Sequence, residues 1–257
     1  MYANEVAIMP EPVVEVLGDG GISAQERHRA RAQIAAVLGR RRLTGTANVR
    51  LTRGYRSDGT TLAQIDLRVA GTPVRCQIDG PAARTIDLAA DRLERALDRL
   101  LAQAPPRWAP DPARPPLVTL GDVRPIVRRK VCVPHRCDAA AAVATMDALD
   151  YDAHLFTDLD TGEDAIVYWA GPLGVRMARQ RRLRPPRDFE HLPMTMNPHP
   201  TRVLTESAAA VRLCGHGLPF LFFTEPEDGR GRLLYRRYDG DLGLVIATSQ
   251  RPSPGLP

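Results

Sequence analysis

The chain is poor in cysteine, lysine and long apolar runs, and each shortage excludes a class of protein. Its four cysteines are scattered over 257 residues, which is not the arrangement of a disulfide framework. No apolar run approaches the roughly 20 residues of a membrane helix. The first 17 residues lack the basic and apolar regions of a signal peptide. We therefore expect a cytoplasmic protein that has no membrane partner.

The residues that could carry chemistry do not form a recognisable catalytic or metal-binding pattern. Cys132, His135 and Cys137 lie close together but lack the second ligand pair of a structural zinc site. The acidic residues around Gly162 do not have the EF-hand spacing of a calcium loop. A glycine-rich phosphate loop and a nucleophile elbow are also missing. We predict a protein that is not an enzyme and that has no metal, cofactor or small-molecule substrate.

Basic residues are nearly all arginine, and their distribution is more informative than their number. Lys130 is the single lysine among 35 basic residues. A GC-rich coding bias accounts for this, although guanidinium groups also match phosphate oxygens. Residues 105–137 hold 7 basic and 2 acidic residues, whereas residues 138–180 hold 2 basic and 8 acidic residues. We therefore expect contact with a polyanion from the N-terminal part and from the linkers.

Proline-rich stretches divide the sequence into a domain and two smaller modules. Stretches of this composition favour extended, semi-rigid linkers. The predicted organisation is a domain at 11–104, a linker at 105–123, a first module at 124–180, a second linker at 181–200, a second module at 201–248 and a tail at 249–257.

The first domain has the pattern of a small α+β fold. Ser23 and Glu26 form a capping box at the start of a helical pattern that ends near Gly39. Three alternating apolar runs follow, and a second helical pattern covers 85–103. With a short strand before the first helix, the order is β-α-β-β-β-α. We predict a four-stranded sheet with both helices on one face.

Arginines lie on both predicted helices at helical spacing. Arg92, Arg95 and Arg99 share one stripe of the second helix, and Arg27 and Arg31 share a face of the first. Two basic stripes on neighbouring helices are typical of a phosphate-binding surface. The alternative is a solvated face held by pairs such as Asp91–Arg95.

The C-terminal part is an internal duplication. Residues 155–157 align with 222–224, and Tyr168 aligns with Tyr235. After a two-residue shift, the turn at 171–174 aligns with the turn at 240–243. Each copy therefore reads as one helix and three strands. Because a module of ~50 residues has little core of its own, we predict that the two copies pair with each other.

Several of these segments resemble the ribosome hibernation promoting factor family in its long form. Residues 85–97 resemble the family's second N-terminal helix, and the β-α-β-β-β-α order is also found there. Residues 234–244 are similar to the tyrosine, double-arginine, Asp-Gly and Gly-Leu signature of the C-terminal module, and 127–130 resemble its basic entry strand. The resemblance covers most of the chain apart from the linkers and the tail.

The resemblance implies binding to the small ribosomal subunit, in the channel where messenger and transfer RNA otherwise lie. Translation is then repressed by steric occlusion, without chemistry. The expected partners are ribosomal RNA and ribosomal proteins. The RNA-binding residues it implies are Arg27, Arg29, Arg31, Arg41, Arg84, Arg92, Arg95, Arg99, Arg128, Arg129, Lys130, Arg236 and Arg237.

One departure from the family concerns the duplicated module, since the usual long form has a single copy that joins two molecules. The first copy also carries Trp169 and Ala170 in place of the double arginine. We predict an intramolecular pseudo-dimer on single ribosomes, with a monomeric chain and an internal interface at Phe156, Tyr168, Phe223 and Tyr235. Two alternatives stay open: a factor that dimerises ribosomes, and a general structured-RNA-binding protein.

Overall fold

The computed structural model describes residues 11–19, 21–53, 59–110, 122–186, 192–237 and 240–249. The chain divides into two compact units. The first is built from residues up to 104 together with 148–150, and the second from 105–147 and the residues after 150. Within the described ranges the protein is a mixed α+β structure with four helices and three sheets. None of the helices in these ranges is long and apolar enough to span a membrane.

The first unit has the predicted order of elements. They are β1 (Val13–Gly18), α1 (Ala24–Arg40), β2 (Thr46–Arg53), β3 (Thr60–Val69), β4 (Thr72–Pro81) and α2 (Ala82–Leu101). The strands form one sheet in sequence order, in which β1 is parallel to β2 and the other neighbours are antiparallel.

Local chemistry fixes where α1 begins, and strand alternation fixes which sheet face is covered. The Ser23 hydroxyl accepts a hydrogen bond from the Glu26 amide at 3.1 Å, and the Glu26 carboxylate accepts one from the Ser23 amide at 2.8 Å. This is the predicted capping box. Along β3, every second side chain from Thr61 to Val69 is buried. These side chains and their neighbours pack with α1 and α2 into one apolar core.

The second unit contains both copies of the duplicated module, and each copy has the predicted helix and three strands. The first copy has α3 (Ala139–Ala148), β7 (Ala153–Asp158), β8 (Asp164–Trp169) and β9 (Val175–Arg179). The second has α4 (Glu206–Gly215), β12 (Phe220–Thr224), β13 (Gly231–Arg236) and β14 (Leu242–Ala247). Four further strands flank the copies: β5 (Ile126–Cys132), β6 (Arg136–Cys137), β10 (Met194–Met196) and β11 (Arg202–Val203).

The two copies exchange edge strands. The first sheet has the order β10-β9-β8-β7-β6 and the second has the order β11-β12-β13-β14-β5. Strand β5 precedes the first copy in sequence, yet it pairs in parallel with β14 of the second. Strand β10 precedes the second copy and pairs in parallel with β9 of the first. The basic strand at 127–130 therefore enters the sheet of the second module, although the resemblance associated it with the module that directly follows it.

A constant offset of 67 positions relates the paired strands of the two copies. Thr157 pairs with Asp164 in the first copy, and Thr224 pairs with Gly231 in the second. The third strands begin at Val175 and Leu242, which differ by the same offset. The predicted two-residue shift is therefore wrong, because the connections between the second and third strands have equal length in both copies.

Each of the two sheets of the second unit is covered on both of its faces. One face of each packs against its own helix, and a third apolar cluster lies between the sheets. Phe156 and Phe223 belong to the clusters beneath α3 and α4, while their neighbours Leu155 and Phe222 belong to the cluster between the sheets. The alignment of residues 155–157 with 222–224 is confirmed, but the face assigned to these two phenylalanines is wrong, since successive strand residues point to opposite faces. Tyr168 packs against the intersheet cluster. Tyr235, two residues after Leu233 of that cluster, lies on the same face of β13.

The burial of Leu93 in the core of the first unit can be tested by substitution. Leu93 on α2 is fully buried, whereas Leu101 at the end of the same helix is 49% exposed. We expect Leu93→Ala to lower the free energy of unfolding by about 2–5 kcal/mol, because it removes buried contacts and leaves a cavity. Leu101→Ala is the matched control and should change it by less than about 0.5 kcal/mol. Urea unfolding followed by circular dichroism measures both, and equal losses would contradict the fold.

Candidate nucleic-acid interface

Ion pairs that cross between α1 and α2 engage several of the predicted RNA-binding arginines. Arg29 donates to Asp87 at 2.5 Å, and Arg41 contacts both Glu94 and Asp98 at 2.8 and 2.7 Å. Hydrogen bonds from Gln33 and Arg29 lower the pKa of Asp87. Three acidic residues of α2 thus pair with arginines on or directly after α1, instead of forming only pairs within one helix. Arg29 and Arg41 contribute to helix packing, and Arg29 also stays 43% exposed at its side chain.

The other two arginines predicted on α1 are anchored to backbone carbonyls. Arg27 donates to the carbonyl of Ile22 at 2.5 Å, and Arg31 donates to that of Val14 at 3.2 Å. Arg31 is exposed and Arg27 is half-buried. These contacts orient the two guanidinium groups along one side of the helix.

The four arginines predicted on α2 have different environments. Arg84 and Arg95 are exposed and Arg99 is half-buried. Arg92 is 3% exposed and forms a bidentate pair with Asp150, at 2.6 Å from Nη2 and 3.0 Å from Nε. Asp150 also accepts a hydrogen bond from the Gln77 amide. The structure therefore places Arg92 in a buried ion pair, away from the exposed stripe that its helical spacing suggested.

A second basic group lies on β5, which is an edge strand of its sheet. Arg128, Arg129 and Lys130 are all exposed, and Arg129 pairs with Glu206 at 2.6 Å. Val127 and Val131 on the same strand are 53% and 47% exposed. This edge combines positive charge with apolar side chains.

The double arginine of the second module is split between the interior and a turn. Arg236 is 2% exposed and donates from Nε to the carbonyl of Leu218 at 3.0 Å. Arg237 is half-buried and begins a turn, with its amide bonded to the carbonyl of Asp241. The next two residues of the signature, Tyr238 and Asp239, lie outside the described residues. Arg236 is therefore a buried residue that contributes to the structure of the module. The spacing of the signature in the sequence does not reveal this burial.

No group of three or more His, Cys, Asp or Glu side chains in the described ranges is placed to bind a metal ion. Burial raises the pKa of Cys137 to about 11 and, together with Lys130 and His135, lowers the pKa of His154 to about 4. A cavity of about 80 Å³ is lined by Asp138, Asp158 and Asp160 among others, well below the ~300–1,000 Å³ of typical ligand pockets.

Comparison with known proteins gives a family match for part of the chain and relatives for nearly all of it. The family described as "Sigma 54 modulation/S30EA ribosomal protein C terminus" matches residues 122–174, which include β5 and most of the first module. Residues 122–174 of the second unit are therefore similar to the C-terminal part of that class of protein. Two proteins described as "Dormancy associated translation inhibitor", from Mycobacterium tuberculosis strains CDC 1551 / Oshkosh and ATCC 25618 / H37Rv, are each 45% identical over 252 residues. The match covers 95% of this chain and 92% of each relative, so the chain belongs to the family of these dormancy associated translation inhibitors.

A solved structure of a ribosomal subunit interface protein from Coxiella burnetii is also similar. It is 15% identical, with a TM-score of 0.30, and the match covers 35% of this chain and 97% of that one.

The buried and exposed arginines of α2 should respond differently to truncation. We expect Arg92→Ala to lower the free energy of unfolding by about 3–5 kcal/mol, because it removes the guanidinium that pairs with the buried Asp150 carboxylate. Arg95→Ala, one helical turn away and exposed, should cost less than about 0.5 kcal/mol. Thermal or urea unfolding of the purified variants measures this difference. Equal stability of the two variants would show that the Arg92–Asp150 pair does not hold the structure.

Proposed function

We propose that this chain is a ribosome hibernation factor that binds the small ribosomal subunit, occupies the channel for messenger and transfer RNA, and represses translation on single ribosomes. The observation that carries this proposal is the nearly end-to-end similarity to proteins named as dormancy associated translation inhibitors. The match to a family of ribosomal protein C termini supports the same conclusion. A protein with this function acts where ribosomes are, in the cytoplasm.

The proposed RNA-binding surface of the first unit is the set of arginines on α1 and α2. Its exposed members, Arg31, Arg84 and Arg95, have guanidinium groups that can reach phosphate oxygens. Arg29 retains exposed surface beside its ion pair with Asp87. Contacts of this kind position a protein on RNA through its backbone and shape, without reading its sequence. Inhibition by occlusion needs only occupancy, so no bond is made or broken.

The basic edge strand β5 is a second proposed contact with the ribosome. Arg128 and Lys130 project from it without an ion pair at their side chains among the described residues, and Arg129 is paired to Glu206. Arg237, at the turn after β13, is a further member of this group. The acidic first module is a poor partner for RNA, because residues 138–180 hold 8 acidic and 2 basic residues. Its surface is better suited to ribosomal protein or to solvent.

We further propose that the two modules form an intramolecular pseudo-dimer. Three observations support it: the reciprocal exchange of β5 and β10, the common offset of 67 positions, and the apolar cluster between the two sheets. In long-form family members with a single module, the equivalent pairing joins two molecules. In this chain the second module takes the place of the second molecule. The chain then acts as a monomer and holds ribosomes singly.

Sedimentation separates this proposal from its two alternatives. When the protein is mixed with ribosomes and run on a sucrose gradient, we expect it in the single-ribosome peak with no peak of ribosome dimers. A dimer peak would support a ribosome-dimerising factor and would contradict the pseudo-dimer. Protein that stays at the top of the gradient at low salt would contradict ribosome binding itself. Equal affinity for unrelated structured RNAs would support the general RNA-binding protein.

Substitutions on α2 test the RNA-binding surface. We expect Arg84→Ala/Arg95→Ala to weaken binding to the small subunit and to reduce the slope of log affinity against log salt by about 2, since each lost phosphate contact reduces it by ~1. Arg68→Ala on β3 is the matched control, because Arg68 is equally exposed but its strand position lies on the sheet face away from the helices. Binding measured at several salt concentrations gives both quantities. An unchanged slope in the double variant would remove these arginines from the interface.

A further inference from the structure

Two equivalent positions of the duplicated modules touch each other. Asp164 is the first residue of β8 and Gly231 is the first residue of β13, and both strands are central in their sheets. The Gly231 amide donates a hydrogen bond to the Asp164 carboxylate at 2.8 Å. In a pair related by a two-fold axis, a position meets its own equivalent only near the axis. The contact between Asp164 and Gly231 therefore marks the centre of the module pair.

The chemistry at this contact is complementary and unsymmetrical. Asp164 is 2% exposed and accepts a bidentate pair of hydrogen bonds from Arg230, at 2.8 Å from Nε and 3.0 Å from Nη2. The hydrogen bonds to Asp164 raise the pKa of the Arg230 guanidinium. The position equivalent to Arg230 in the first module is occupied by Glu163. At the centre, the first module thus contributes the Asp164 carboxylate, and the second contributes one guanidinium and a glycine.

The space around Gly231 at this contact is too small for a side chain. A Cβ atom added to Gly231 would lie 2.6 Å from the Cβ of Asp164 and 2.8 Å from the ring of Phe222. A side chain at position 231 is therefore opposed by Asp164 of the other module, which is the nearer neighbour, and by Phe222 of its own module. The aspartate of one module requires the glycine of the other.

We propose that Asp164 of the first module and Arg230-Gly231 of the second make module pairing strictly heterotypic, so that each module accepts the other module and rejects a copy of itself. This proposal rests on the pseudo-dimer proposed above. Two first modules would bring buried Asp164 carboxylates together, and like charges at close range in a buried site oppose pairing. Two second modules would face two Arg230 side chains without their carboxylate acceptor. Because both partners are tethered in one chain, the internal pair forms at high effective concentration and closes the surface to a second molecule.

A double-mutant cycle in the full chain tests the proposal. Both tryptophans of the sequence, Trp108 and Trp169, pack against the core beneath α3, so their fluorescence reports on the second unit. The cycle combines Asp164→Gly with Gly231→Asp and follows urea unfolding by tryptophan fluorescence. Gly215→Asp is the matched control, because Gly215 is exposed at the end of α4 and a Cβ there has no atom within 4 Å.

We expect Asp164→Gly to shift the urea midpoint in opposite directions in the parent chain and in the Gly231→Asp chain. In the parent chain, Asp164→Gly should lower the urea midpoint, because Arg230 and the Gly231 amide lose their acceptor. In the Gly231→Asp chain, the same substitution should raise the midpoint, because it removes one of two facing carboxylates. Gly231→Asp alone should lower the midpoint far more than Gly215→Asp does. Asp164→Gly lowering the midpoint equally in both backgrounds, or Gly231→Asp costing no more than the control, would overturn the proposal.

A milder cycle covers the case in which Gly231→Asp prevents the second unit from folding. With Gly231→Ala as the background, Asp164→Gly should lower the midpoint less than it does in the parent chain, because it also relieves the overlap of the two Cβ atoms. An equal decrease in both backgrounds would contradict the proposal. These readouts do not involve the ribosome, so a failed cycle leaves proposed ribosome binding intact. Loss of ribosome binding would likewise leave a successful cycle standing.

Discussion

The exchange of β5 and β10 is the constraint on which the second unit depends. Each strand is contributed by the segment preceding one module and completes the sheet of the other. The first sheet is built from consecutive strands between residues 136 and 196, whereas the second sheet is completed only by β5, which lies before the first module in sequence. The exchange brings the sheets together over the cluster that contains Leu155, Ile166, Phe222 and Leu233. In the proposed pseudo-dimer, duplication and exchange together let one chain supply both partners of the pair.

Strand exchange also determines which module's sheet carries the basic strand β5. Exchange places the basic strand β5 at the edge of the second module's sheet, where Arg128 and Lys130 are exposed. The acidic first module uses one of its carboxylates, Asp164, in the interface itself. In the first unit, acids on α2 pair with arginines on α1, while Arg84 and Arg95 remain exposed. Acidic side chains thus hold elements together, and exposed basic side chains form the proposed ribosome-binding surface.

Local sequence patterns predicted the first unit well. Features that depend on contacts between distant parts of the chain could not be predicted. The capping box at Ser23 and the alternation along β3 depend on near neighbours in sequence, so both could be read directly. The burial of Arg92 depends on Asp150, 58 positions away, and helical spacing contains no information about that partner. Leu155 and Phe156 are both buried, because their strand is covered on two faces. An apolar run of this kind does not reveal which residue faces which partner. The strand exchange was not predictable for the same reason, since β5 and β14 are separated by more than a hundred residues.

The most direct test of the account measures whether the protein and the substrates of translation exclude each other on the small subunit. Small subunits are loaded with labelled messenger RNA and transfer RNA, and the protein is then added at increasing concentration. We expect both RNAs to be released as the protein binds, and we expect excess RNA to displace the protein in turn. Simultaneous, saturating binding of the protein and both RNAs would contradict occlusion of the decoding channel.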